Sequence, residues 1–580
     1  THDQMEVMVT TLEQVYNEFS AGRPDLTAIR NFIRTKYAQS NRLSYVLFFG
    51  KGSYDYKDRI SSNSNFIPTY ESRNSLHPLF SFSSDDYFGF LEPDEGEWIE
   101  SRAGDHDVEV GIGRIPVTSV QQAWDFVEKW KSYQLNGPEK GDWRTKLTFV
   151  ADDGDRNIHQ RDADILATTV TNEQPEFEIN KLYLDAFKQE NLPNGEASPE
   201  AEKALLDAVH EGRLLINFTG HGAEFGWMQE RILTFQTMEQ WNNPDKLPFL
   251  VTATCEFGRN DDPNTVSGAE FLITKKQSGA IGLVTTARPV FSSTNFTLNE
   301  ALYEVMLSLE NGEYRRLGDI IKYTKNNSLE GSINRNFILL GDPSMRLAIP
   351  SHRIGINEIN GRPVNGQDTI RAFEEITFNG EVLNQPNFNG TLGYELIDKP
   401  SVKTTFGTES PPFDFTEKDQ VLVRGEVSVE NGSFQITTQV PQNIDYTFDK
   451  ARIQFYARNQ DKSSDAFGAF EEFILGGSAN EVESDELPPT GRLFLNDTSS
   501  VRVSSYPNRV RLIGLLQDEN GINISSNALG QELLLVVNDS MTINLNAHYR
   551  HLPDQYQKGM VTYLIENLPQ GNNHLTLYFW

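Results

Sequence analysis

The 580-residue chain contains a single cysteine, Cys255. It can form no intrachain disulfide, so its stability must come from the burial of apolar side chains. A hydrophobic content of 38% and an aromatic content of 11% are typical of globular proteins and allow a sizeable core. A lone cysteine is either a packing residue or a reactive thiol, and its neighbours in the sequence must decide between the two.

The chain also has few basic residues. It has 51 Lys and Arg against 82 Asp and Glu, a net charge of −31. A nucleic-acid-binding protein needs a basic surface to neutralise phosphates, so that function class is excluded. The same charge disfavours electrostatic docking on an anionic membrane. High acidity suits a secreted protein or one that binds hard cations, and solvated acidic surfaces are the alternative explanation.

Long hydrophobic runs are missing too. No apolar run approaches the ~18 residues that would span a membrane. Residues 1–4 do not have the pattern of a signal peptide, and Met5–Thr10 predicts a strand. The chain ends at Trp580 in another strand-like run, and we expect both ends to have been cut from a longer precursor.

Roughly the first 350 residues alternate strand-like and helix-like segments. Leu26–Ala38 has helical spacing, and Ser44–Gly50 is a continuous apolar run of the kind found in parallel strands buried on both faces. The alternation resumes at Leu147–Ala151 and continues through apolar runs at 213–218, 248–253 and 279–285. This pattern predicts an α/β region with mainly parallel sheets in two subdomains, 1–138 and 139–350.

After Pro350 the helical period disappears. Short runs that alternate apolar and polar residues lie between Asn, Gly and Pro turns, which is the spacing of antiparallel sandwiches. We therefore predict an immunoglobulin-like β-sandwich over residues 351–480. A C-terminal β domain is predicted over residues 481–580.

Two strand-like segments end in side chains that can react. Leu214–Phe218 leads into a Gly-His-Gly turn with His221 at its centre, and Leu247–Ala253 leads to Cys255. The separation of 255 − 221 = 34 residues is enough for a crossover helix and a neighbouring parallel strand. In open α/β sheets, sites form at the carboxyl ends of the strands. We therefore expect the imidazole and the thiol to lie at the same edge of the sheet.

This pairing is what thiol chemistry requires. A free thiol has a pKa of ~8.5, and an adjacent imidazole either favours the thiolate or accepts the thiol proton. We predict that the backbone amides of Gly222 and Cys255 point at the developing oxyanion. The alternative is that Cys255 only packs and that the Gly-His-Gly segment is only a turn.

The surrounding residues resemble a known family. Asn217–Glu224 followed by Trp227 resembles the histidine motif of the gingipain-type cysteine peptidases, family C25, and Leu247–Phe249 leading to Thr254–Cys255 resembles their nucleophile segment. The resemblance covers about residues 1–350. It includes segments similar to the ends of the first subdomain and of the peptidase domain, Gly111–Pro116 and Gly341–Ser344. Within the family, the chain resembles the surface sortases of type IX secretion at Ser53–Tyr56, Ser84–Gly89 and Asp518–Asn523.

The resemblance implies a caspase-like fold and a cysteine peptidase or transpeptidase that requires no cofactor. Cys255 would attack the junction between a cargo protein and its C-terminal secretion signal, and His221 would protonate the leaving amine. The cargo would then pass to an amine of anionic lipopolysaccharide at the extracellular face of the outer membrane. The other implied partners are secretion proteins of that membrane, such as a PorV-like shuttle. The alternatives are a secreted gingipain-like endopeptidase and a catalytically idle scaffold.

The resemblance also suggests further site residues. In gingipains an acidic residue after the strand that corresponds to Leu147–Ala151 orients the histidine; Asp153 falls at that place, with Asp152 as the alternative. Arginine specificity does not carry over, because the acidic residue that confers it has no secure match. Asp155, Trp227, Thr286 and Arg288 are the candidate substrate-binding residues, with surface solvation as the alternative for Arg288.

A structural calcium ion is a further hypothesis. Asp85 and Asp86 are oxygen ligands of the kind that calcium prefers. Their spacing follows no regular calcium loop, and solvated turns are the favoured alternative. Zinc is not expected, because the chain lacks a Cys/His cluster. The other acidic residues of this region are Asp94, Glu97, Asp105 and Asp107.

Overall fold

The computed structural model describes residues 3, 5–40, 42–74, 77, 79–92, 106–135, 140–193, 195–329, 331–479, 487–499, 506–525 and 530–580. Asp94, Glu97 and Asp105, further acidic residues of the region considered for calcium, lie outside these residues. The chain divides into two compact units. The first contains Thr1–Gln174, Ile179–Ile349 and Thr404–Phe415, and the second contains Pro175–Glu178, Pro350–Lys403 and Thr416–Trp580. The four-domain division made from the sequence stays a prediction.

The first unit is organised around an eight-stranded sheet of described residues, with the spatial order β1-β2-β8-β7-β6-β5-β3-β4. Its strands, in chain order, are β1 (Tyr45–Phe49), β2 (Gly111–Ile115), β3 (Lys146–Ala151), β4 (Glu178–Tyr183), β5 (Leu215–Thr219), β6 (Phe249–Ala253), β7 (Gly282–Thr286) and β8 (Phe337–Leu340).

The pairing in this sheet is mainly parallel, as predicted. β1 runs parallel to β2, β3 to β5, β5 to β6, and β6 to β7, whereas β7 and β8 are antiparallel. A parallel pair between β2 and β8 places strands of both predicted subdomains in one sheet. The strands β2, β3 (after its first residue), β5, β6 and β7 are buried throughout, because helices cover them.

Helices pack on both faces of the sheet. Successive strand residues point to opposite faces, and Ile216 and Phe218 belong to an apolar cluster that includes residues of α5, α6 and α7. Asn217, between them, accepts a hydrogen bond from Tyr303 of α8. The helices are α1 (Leu12–Phe19), α2 (Leu26–Ser40), α3 (Val120–Gln134), α4 (Gly154–Glu173), α5 (Pro199–Glu211), α6 (Phe235–Gln240), α7 (Gly268–Thr274), α8 (Ser292–Met306), α9 (Leu317–Asn326) and α10 (Ser332–Arg335).

Shorter elements complete the first unit. Its 3₁₀ helices among the described residues are Asp86–Gly89, Asp142–Thr145 and Leu184–Ala186. Its two-stranded ribbons pair Tyr70–Glu71 with Ser83–Ser84, Glu190–Leu192 with Gly195–Ala197, Gly222–Ala223 with Gly226–Trp227, and Leu309–Glu310 with Glu313–Tyr314.

Met5–Thr10 forms no strand; that prediction was wrong, because these mostly exposed residues lack the burial that stabilises one. No helix of the described residues has the length and apolar character needed to cross a bilayer.

A buried lysine ties α3 to the segment between α7 and β7. Lys129 is 2% exposed, and its ammonium group lies within hydrogen-bond distance of five backbone carbonyls. The last carbonyls of a helix have no partner within the helix; here Lys129 donates to those at the end of α7, and the carbonyl of Leu272 also accepts the N–H of Ala280. The five carbonyls belong to Leu272, Ile273, Lys275, Ser278 and Ala280.

Lys129→Met should therefore destabilise the first unit by roughly 2–4 kcal/mol, because buried carbonyls lose a charged donor. The measurement is the free energy of unfolding in urea, followed by tryptophan fluorescence. Lys131→Met is the matched control on the same helix: Lys131 forms a surface ion pair with Glu128, and removing it should cost less than about 1 kcal/mol. Equal effects of both variants would contradict a structural role for the Lys129 contacts.

The second unit is built from β-strands, as predicted. Its eight-stranded sheet has the order β12-β11-β14-β15-β9-β10-β13, with the short strand Arg362–Pro363 paired to β9. Its pairs are antiparallel except β9 with β15. The strands are β9 (His352–Ile359), β10 (Glu375–Val382), β11 (Gly390–Ile397), β12 (Val421–Val429), β13 (Ser433–Gln439), β14 (Arg452–Asn459) and β15 (Asp465–Phe470).

The core of this sheet comes from alternate residues of its strands. In β10, Ile376, Phe378 and Val382 are buried while the residues between them are more exposed, except for Gly380. They join a cluster that includes Ile436 and Phe455. A three-stranded sheet of the same unit contains Asp368–Ala372, Phe473–Ser478 and Asp449–Lys450.

The C-terminal part of the second unit has its own apolar cluster, which includes Leu512, Leu535 and Tyr549. Its four-stranded sheet contains Thr490–Leu495, Val510–Gln517, Gln555–Ile565 and Tyr549–Leu552, and its three-stranded sheet contains Met541–Asn544, Leu534–Val537 and Leu575–Tyr578. Asn546–His548 is a 3₁₀ helix. Elsewhere in the chain, Ser401–Thr404 and Asp414–Glu417 form a separate two-stranded sheet.

Candidate active site

His221 and Cys255 follow two neighbouring parallel strands. In the register of β5 and β6, Thr219 pairs with Ala253, and His221 and Cys255 each lie two residues further on. Paired strands lie ~4.7–4.9 Å apart, and Gly220 donates a backbone hydrogen bond to the carbonyl of Ala253 at 3.3 Å. The structure thus brings the two residues to the same edge of the sheet, as the sequence predicted.

The two glycines around His221 are required by close packing. Gly220 has φ +159°, and a Cβ at this position would lie 2.3 Å from Cβ of Asp152. A Cβ on Gly222 would lie 2.4 Å from the hydroxyl of Thr254, the residue before Cys255. The histidine turn is therefore pressed against both the loop after β3 and the cysteine loop.

Two aspartates that follow β3 contact His221, Asp152 at its backbone N–H and Asp155 at its imidazole. The carboxylate of Asp152 accepts a hydrogen bond from the backbone N–H of His221 at 2.8 Å and another from the N–H of Asp153 at 2.9 Å. Asp155 lies beside the imidazole, with 3.1 Å between its Oδ2 and Nε2 of His221. Because Nε2 contacts Asp155, Nδ1 is the ring nitrogen that remains available for the reaction. The side chain of His221 is half exposed.

Asp155 is the first of three consecutive residues with left-handed backbone. Asp155, Arg156 and Asn157 have φ of 54°, 58° and 65° inside the range of α4. Such conformations are unfavourable for residues other than glycine, and here they turn the Asp155 carboxylate toward His221. The resemblance pointed to Asp155 as a substrate-binding residue; the structure places it against the imidazole instead.

Asp153, predicted to orient the histidine, has other contacts. Its carboxylate accepts a hydrogen bond from Gln189 at 2.6 Å, and its backbone carbonyl accepts one from Ser410 at 2.6 Å. The side chain is fully buried, which raises the pKa of its carboxyl group to about 6. The prediction for Asp153 is corrected: the imidazole contact is made by Asp155, two residues later.

A second histidine lies next to the first. His159 is 5% exposed and belongs to α4. Its ring meets that of His221 edge to face, with 5.0 Å between the centroids. Burial lowers the pKa of His159, which keeps its ring neutral beside His221.

The thiol of Cys255 is half-buried. Its Sγ lies 3.6 Å from the carbonyl oxygen of Val290, and burial raises its pKa. Thr286, predicted to line a specificity pocket, is fully buried and donates its hydroxyl hydrogen to the carbonyl of Thr254. The structure therefore gives Thr286 a role in holding the cysteine loop.

Two other predicted substrate-binding residues are also engaged inside the protein. Trp227 is fully buried and stacks on Phe218 with 4.4 Å between the ring centroids, so its ring offers no surface to a substrate. The guanidinium of Arg288 donates two hydrogen bonds to the buried carboxylate of Asp261, and Glu71 lies 3.5 Å away. The positive charge of Arg288 is therefore neutralised within the protein. Because the side chain is largely buried, Arg288 is not a solvated surface residue, which was the alternative explanation for it.

The acidic residues predicted to bind calcium, Asp85 and Asp86, form ion pairs. Asp85 accepts two hydrogen bonds from Arg114, at 2.6 and 2.7 Å. Asp86 contacts Lys325 at 2.7 Å and Arg335 at 2.9 Å. These two carboxylates are thus paired with basic side chains, and their assignment as calcium ligands stays a prediction.

Sequence reasoning missed the acidic residues that surround Asp153. Glu230 is 3% exposed, and its burial raises the pKa of its carboxyl group to about 8. Glu409 comes from Thr404–Phe415 and lies 409 − 230 = 179 residues beyond Glu230. No motif connects these positions, and only the fold brings them together.

Comparison with known proteins identifies the family of this chain. The family model of peptidase family C25 matches residues 1–348. Gingipain R2 and gingipain R1 of Porphyromonas gingivalis are each 25% identical to the chain over 240 residues, which is 40% of this chain. The match spans 26% of gingipain R2 and 20% of gingipain R1, so it covers only a small part of these relatives.

Two solved structures are also similar to this chain. The Arg-specific cysteine proteinase gingipain R (RgpB) matches 79% of this chain and 90% of its own, with 16% identity and a TM-score of 0.45. Dimeric latent PorU from Porphyromonas gingivalis matches the whole of this chain and 51% of its own, with 22% identity and a TM-score of 0.37.

The family match covers more than half of the chain and includes the strands that carry His221 and Cys255. The sheet order and the mainly parallel pairing give the fold expected for that family. The chain therefore belongs to peptidase family C25, the gingipain-type cysteine peptidases with a caspase-like fold.

Proposed function

We propose that this protein is a cysteine peptidase in which Cys255 is the nucleophile and His221 the general acid and base. The single observation that supports this most is the register of β5 and β6, which places both residues two positions beyond a paired Thr219 and Ala253. A thiol and an imidazole side by side at the edge of a parallel sheet are the components of nucleophilic catalysis. The contact of Asp155 with Nε2 favours the tautomer that leaves Nδ1 free to accept a proton.

In the first half of the reaction, Sγ of Cys255 attacks the carbonyl carbon of the scissile peptide bond. The thiol proton passes to Nδ1 of His221, and the carbonyl oxygen becomes an oxyanion. The amides of Gly222 and Cys255 are the proposed hydrogen-bond donors to that oxyanion. When the carbon–nitrogen bond breaks, the amine takes the proton from His221 and a thioester remains on Cys255.

In the second half, water or an acceptor amine attacks the thioester. His221 takes a proton from the attacking group, and the thiolate leaves as the new carbon–oxygen or carbon–nitrogen bond forms. The thiolate then recovers the proton. Hydrolysis and transpeptidation differ only in the attacking group, so one site supports both.

The raised pKa of the Cys255 thiol predicts how its rate of alkylation depends on pH. Because burial raises the pKa of Cys255, the thiolate fraction at pH 7 should be below the few per cent of a free cysteine. The rate of alkylation by iodoacetamide should rise continuously from pH 7 to beyond pH ~9, as read from intact mass. A rate that is already maximal at pH 7 would indicate a preformed thiolate–imidazolium pair and contradict the general-base mechanism.

The more specific proposal is that the peptidase sorts proteins at the bacterial surface. It is supported by the resemblance of Ser53–Tyr56, Ser84–Gly89 and Asp518–Asn523 to type IX surface sortases. The enzyme would remove C-terminal secretion signals and transfer the cargo to an amine of anionic lipopolysaccharide, at the outer face of the outer membrane beside a PorV-like shuttle. The net charge of −31 disfavours nucleic acid as a partner.

The test is a cleavage reaction in H₂¹⁸O with a cargo that carries a type IX C-terminal signal, in the presence and absence of glycinamide. A sortase yields the glycinamide adduct, measured by intact mass. A product that contains only ¹⁸O, even at high amine concentration, supports the gingipain-like endopeptidase instead. No cleavage, with a thiol that reacts only after denaturation, supports the idle scaffold.

A further inference from the structure

Two imidazoles and two carboxylates lie together at the histidine turn, and we call them the histidine cluster. They belong to His159, His221, Asp152 and Asp155, all in the first unit. One ligand atom each of Asp152, His159 and His221 lie within 4.8 Å of one another. The two histidines are 221 − 159 = 62 residues apart in the sequence. The expectation of no zinc site rested on the lack of a Cys/His cluster in the sequence, whereas this cluster forms only in the fold.

The spacing of the ligand atoms matches a tetrahedral metal ion. Oδ2 of Asp155 lies 3.1 Å from Nε2 of His221 and 3.6 Å from Nε2 of His159. Zinc bonds to imidazole nitrogen at ~2.0–2.1 Å and to carboxylate oxygen at ~2.0–2.2 Å, so two ligand atoms of one tetrahedral ion lie about 3.3 Å apart. Both observed distances are close to this separation.

The two rings are also arranged as in a shared metal site. The ring centroids of His159 and His221 are 5.0 Å apart, and the rings are inclined at 83°. When two imidazoles bind one tetrahedral zinc ion in line with a ring nitrogen, their centroids lie about 5.2 Å apart. The pair therefore needs little movement to accept an ion beside Asp155.

His159 provides an independent indication of a ligand. Its side chain is 6% exposed, and its Nε2 forms no hydrogen bond with any described residue. The 3.6 Å to Asp155 is beyond hydrogen-bond distance. A buried polar atom without a partner is unfavourable, and a metal ion would supply the partner. The side chains of His221 and Asp155 are 50% and 59% exposed, so an ion can enter from solvent.

The chemistry of the ligands selects the ion. Two imidazoles and a carboxylate with a further open position are a common ligand set of zinc. Calcium and magnesium prefer oxygen ligands throughout, so the two nitrogens disfavour them. Iron(II) uses the same ligand types, but it precedes zinc in the order of affinities of divalent metals for such sites. Zinc is therefore the ion that this cluster fits best.

We propose that His159, His221 and Asp155 bind a zinc ion, with Asp152 beside it, and that the bound ion switches the peptidase off. This inference rests on the proposed role of His221 as general base. A zinc-bound imidazole is neutral and gives the lone pair of Nε2 to the metal, so its single N–H is at Nδ1. The ring proton moves from Nε2 to Nδ1 by exchange with water. Nδ1 then cannot accept the proton of the Cys255 thiol.

The experiment is a titration of the full chain with ZnCl₂ by isothermal titration calorimetry, after removal of cations with a chelator. It is performed on wild type and on Cys255→Ala, because a thiol is itself a zinc ligand and the pair of Cys255 and His221 is the competing site. Both proteins should bind one zinc ion with the same affinity. Zinc should also stop cleavage of a type IX cargo by wild type, and excess chelator should restore it.

His159→Phe is the decisive variant, because it keeps an aromatic ring beside His221 and removes both ligand nitrogens. In the Cys255→Ala background it should weaken zinc binding at least about tenfold. His210→Phe is the matched control: His210 is exposed on α5, and the same change there should leave zinc binding as it was. If His159→Phe does not fold, Asp155→Asn, whose side chain is exposed, should still weaken binding severalfold.

Four results would overturn the proposal. They are no binding heat in Cys255→Ala at millimolar ZnCl₂, binding by wild type that disappears in Cys255→Ala, equal weakening in His159→Phe and His210→Phe, and zinc binding that leaves cleavage by wild type unchanged. The binding measurements require no peptidase activity. A protein that binds zinc but cleaves no cargo would therefore contradict the proposed function and leave the metal site standing, so the two failures can be told apart.

Discussion

Cys255→Ala is expected to lower peptidase activity by at least about 10⁴-fold, because the protein loses its nucleophile and no second thiol can replace it. Cys255→Ser should be nearly as inactive, since a hydroxyl is a far weaker nucleophile without a strong base. The measurement is cleavage of a cargo protein with a type IX C-terminal signal, followed by intact mass. Labelling by a peptidyl electrophile should disappear in the same variants.

The loss of activity in the Cys255 variants is informative only if these variants fold. Cys255 is half-buried, and its Sγ makes a weak contact with the carbonyl of Val290 at 3.6 Å, so Cys255→Ala should unfold within a few degrees of wild type. Ser293→Ala, an exposed position in α8, is a control that should retain full activity. Activity within tenfold of wild type in folded Cys255→Ala would refute the proposed mechanism.

Asp155→Asn has the second largest expected effect, a loss of roughly 10²-fold in kcat with little change in KM. The carboxylate of Asp155 lies 3.1 Å from Nε2 of His221 and favours the tautomer whose Nδ1 accepts the thiol proton. The amide keeps the shape of the carboxylate but loses the charge that stabilises the imidazolium. An unchanged KM separates this positioning role from substrate binding, which would raise KM.

The same experiment decides between the two aspartates. Asp153→Asn should lose less than about tenfold in kcat, because its carboxylate accepts a hydrogen bond from Gln189 and does not contact the imidazole. Asp155→Glu should recover part of the activity of Asp155→Asn. Asp207→Asn, on the exposed surface of α5, is the control with unchanged activity. A larger loss in Asp153→Asn than in Asp155→Asn would favour the assignment made from the sequence.

Local patterns predicted the elements that carry the candidate dyad. β5 and β6 were expected over 213–218 and 248–253 and occur at Leu215–Thr219 and Phe249–Ala253. Fully buried parallel strands are continuous apolar runs, and such runs can be recognised without a structure. The prediction for Met5–Thr10 failed because an apolar run forms a strand only where a partner strand is available.

The environment of the candidate site could not be predicted in the same way. Asp153, with Asp152 as the alternative, was predicted to orient the histidine from its place after β3, but three left-handed residues at Asp155–Asn157 redirect the chain and Asp155 contacts the imidazole. Trp227 was assigned to substrate binding, and it is buried against Phe218 and Phe257. Single-sequence patterns contain no information about such contacts, because these depend on how helices and loops pack across the sheet.

The sequence by itself determined the fold class, the family and the pair His221 and Cys255, because these follow from local apolar periodicity and from motifs of a few residues. Only the tertiary structure decided which aspartate contacts the imidazole and which acidic residues are neutralised by arginine and lysine. Asp152, Asp153, Glu196, Glu230 and Glu409 are spread over more than 250 residues of the chain. Their carboxylates become neighbours only when four separate loops meet at one end of the sheet, and that meeting depends on long-range packing.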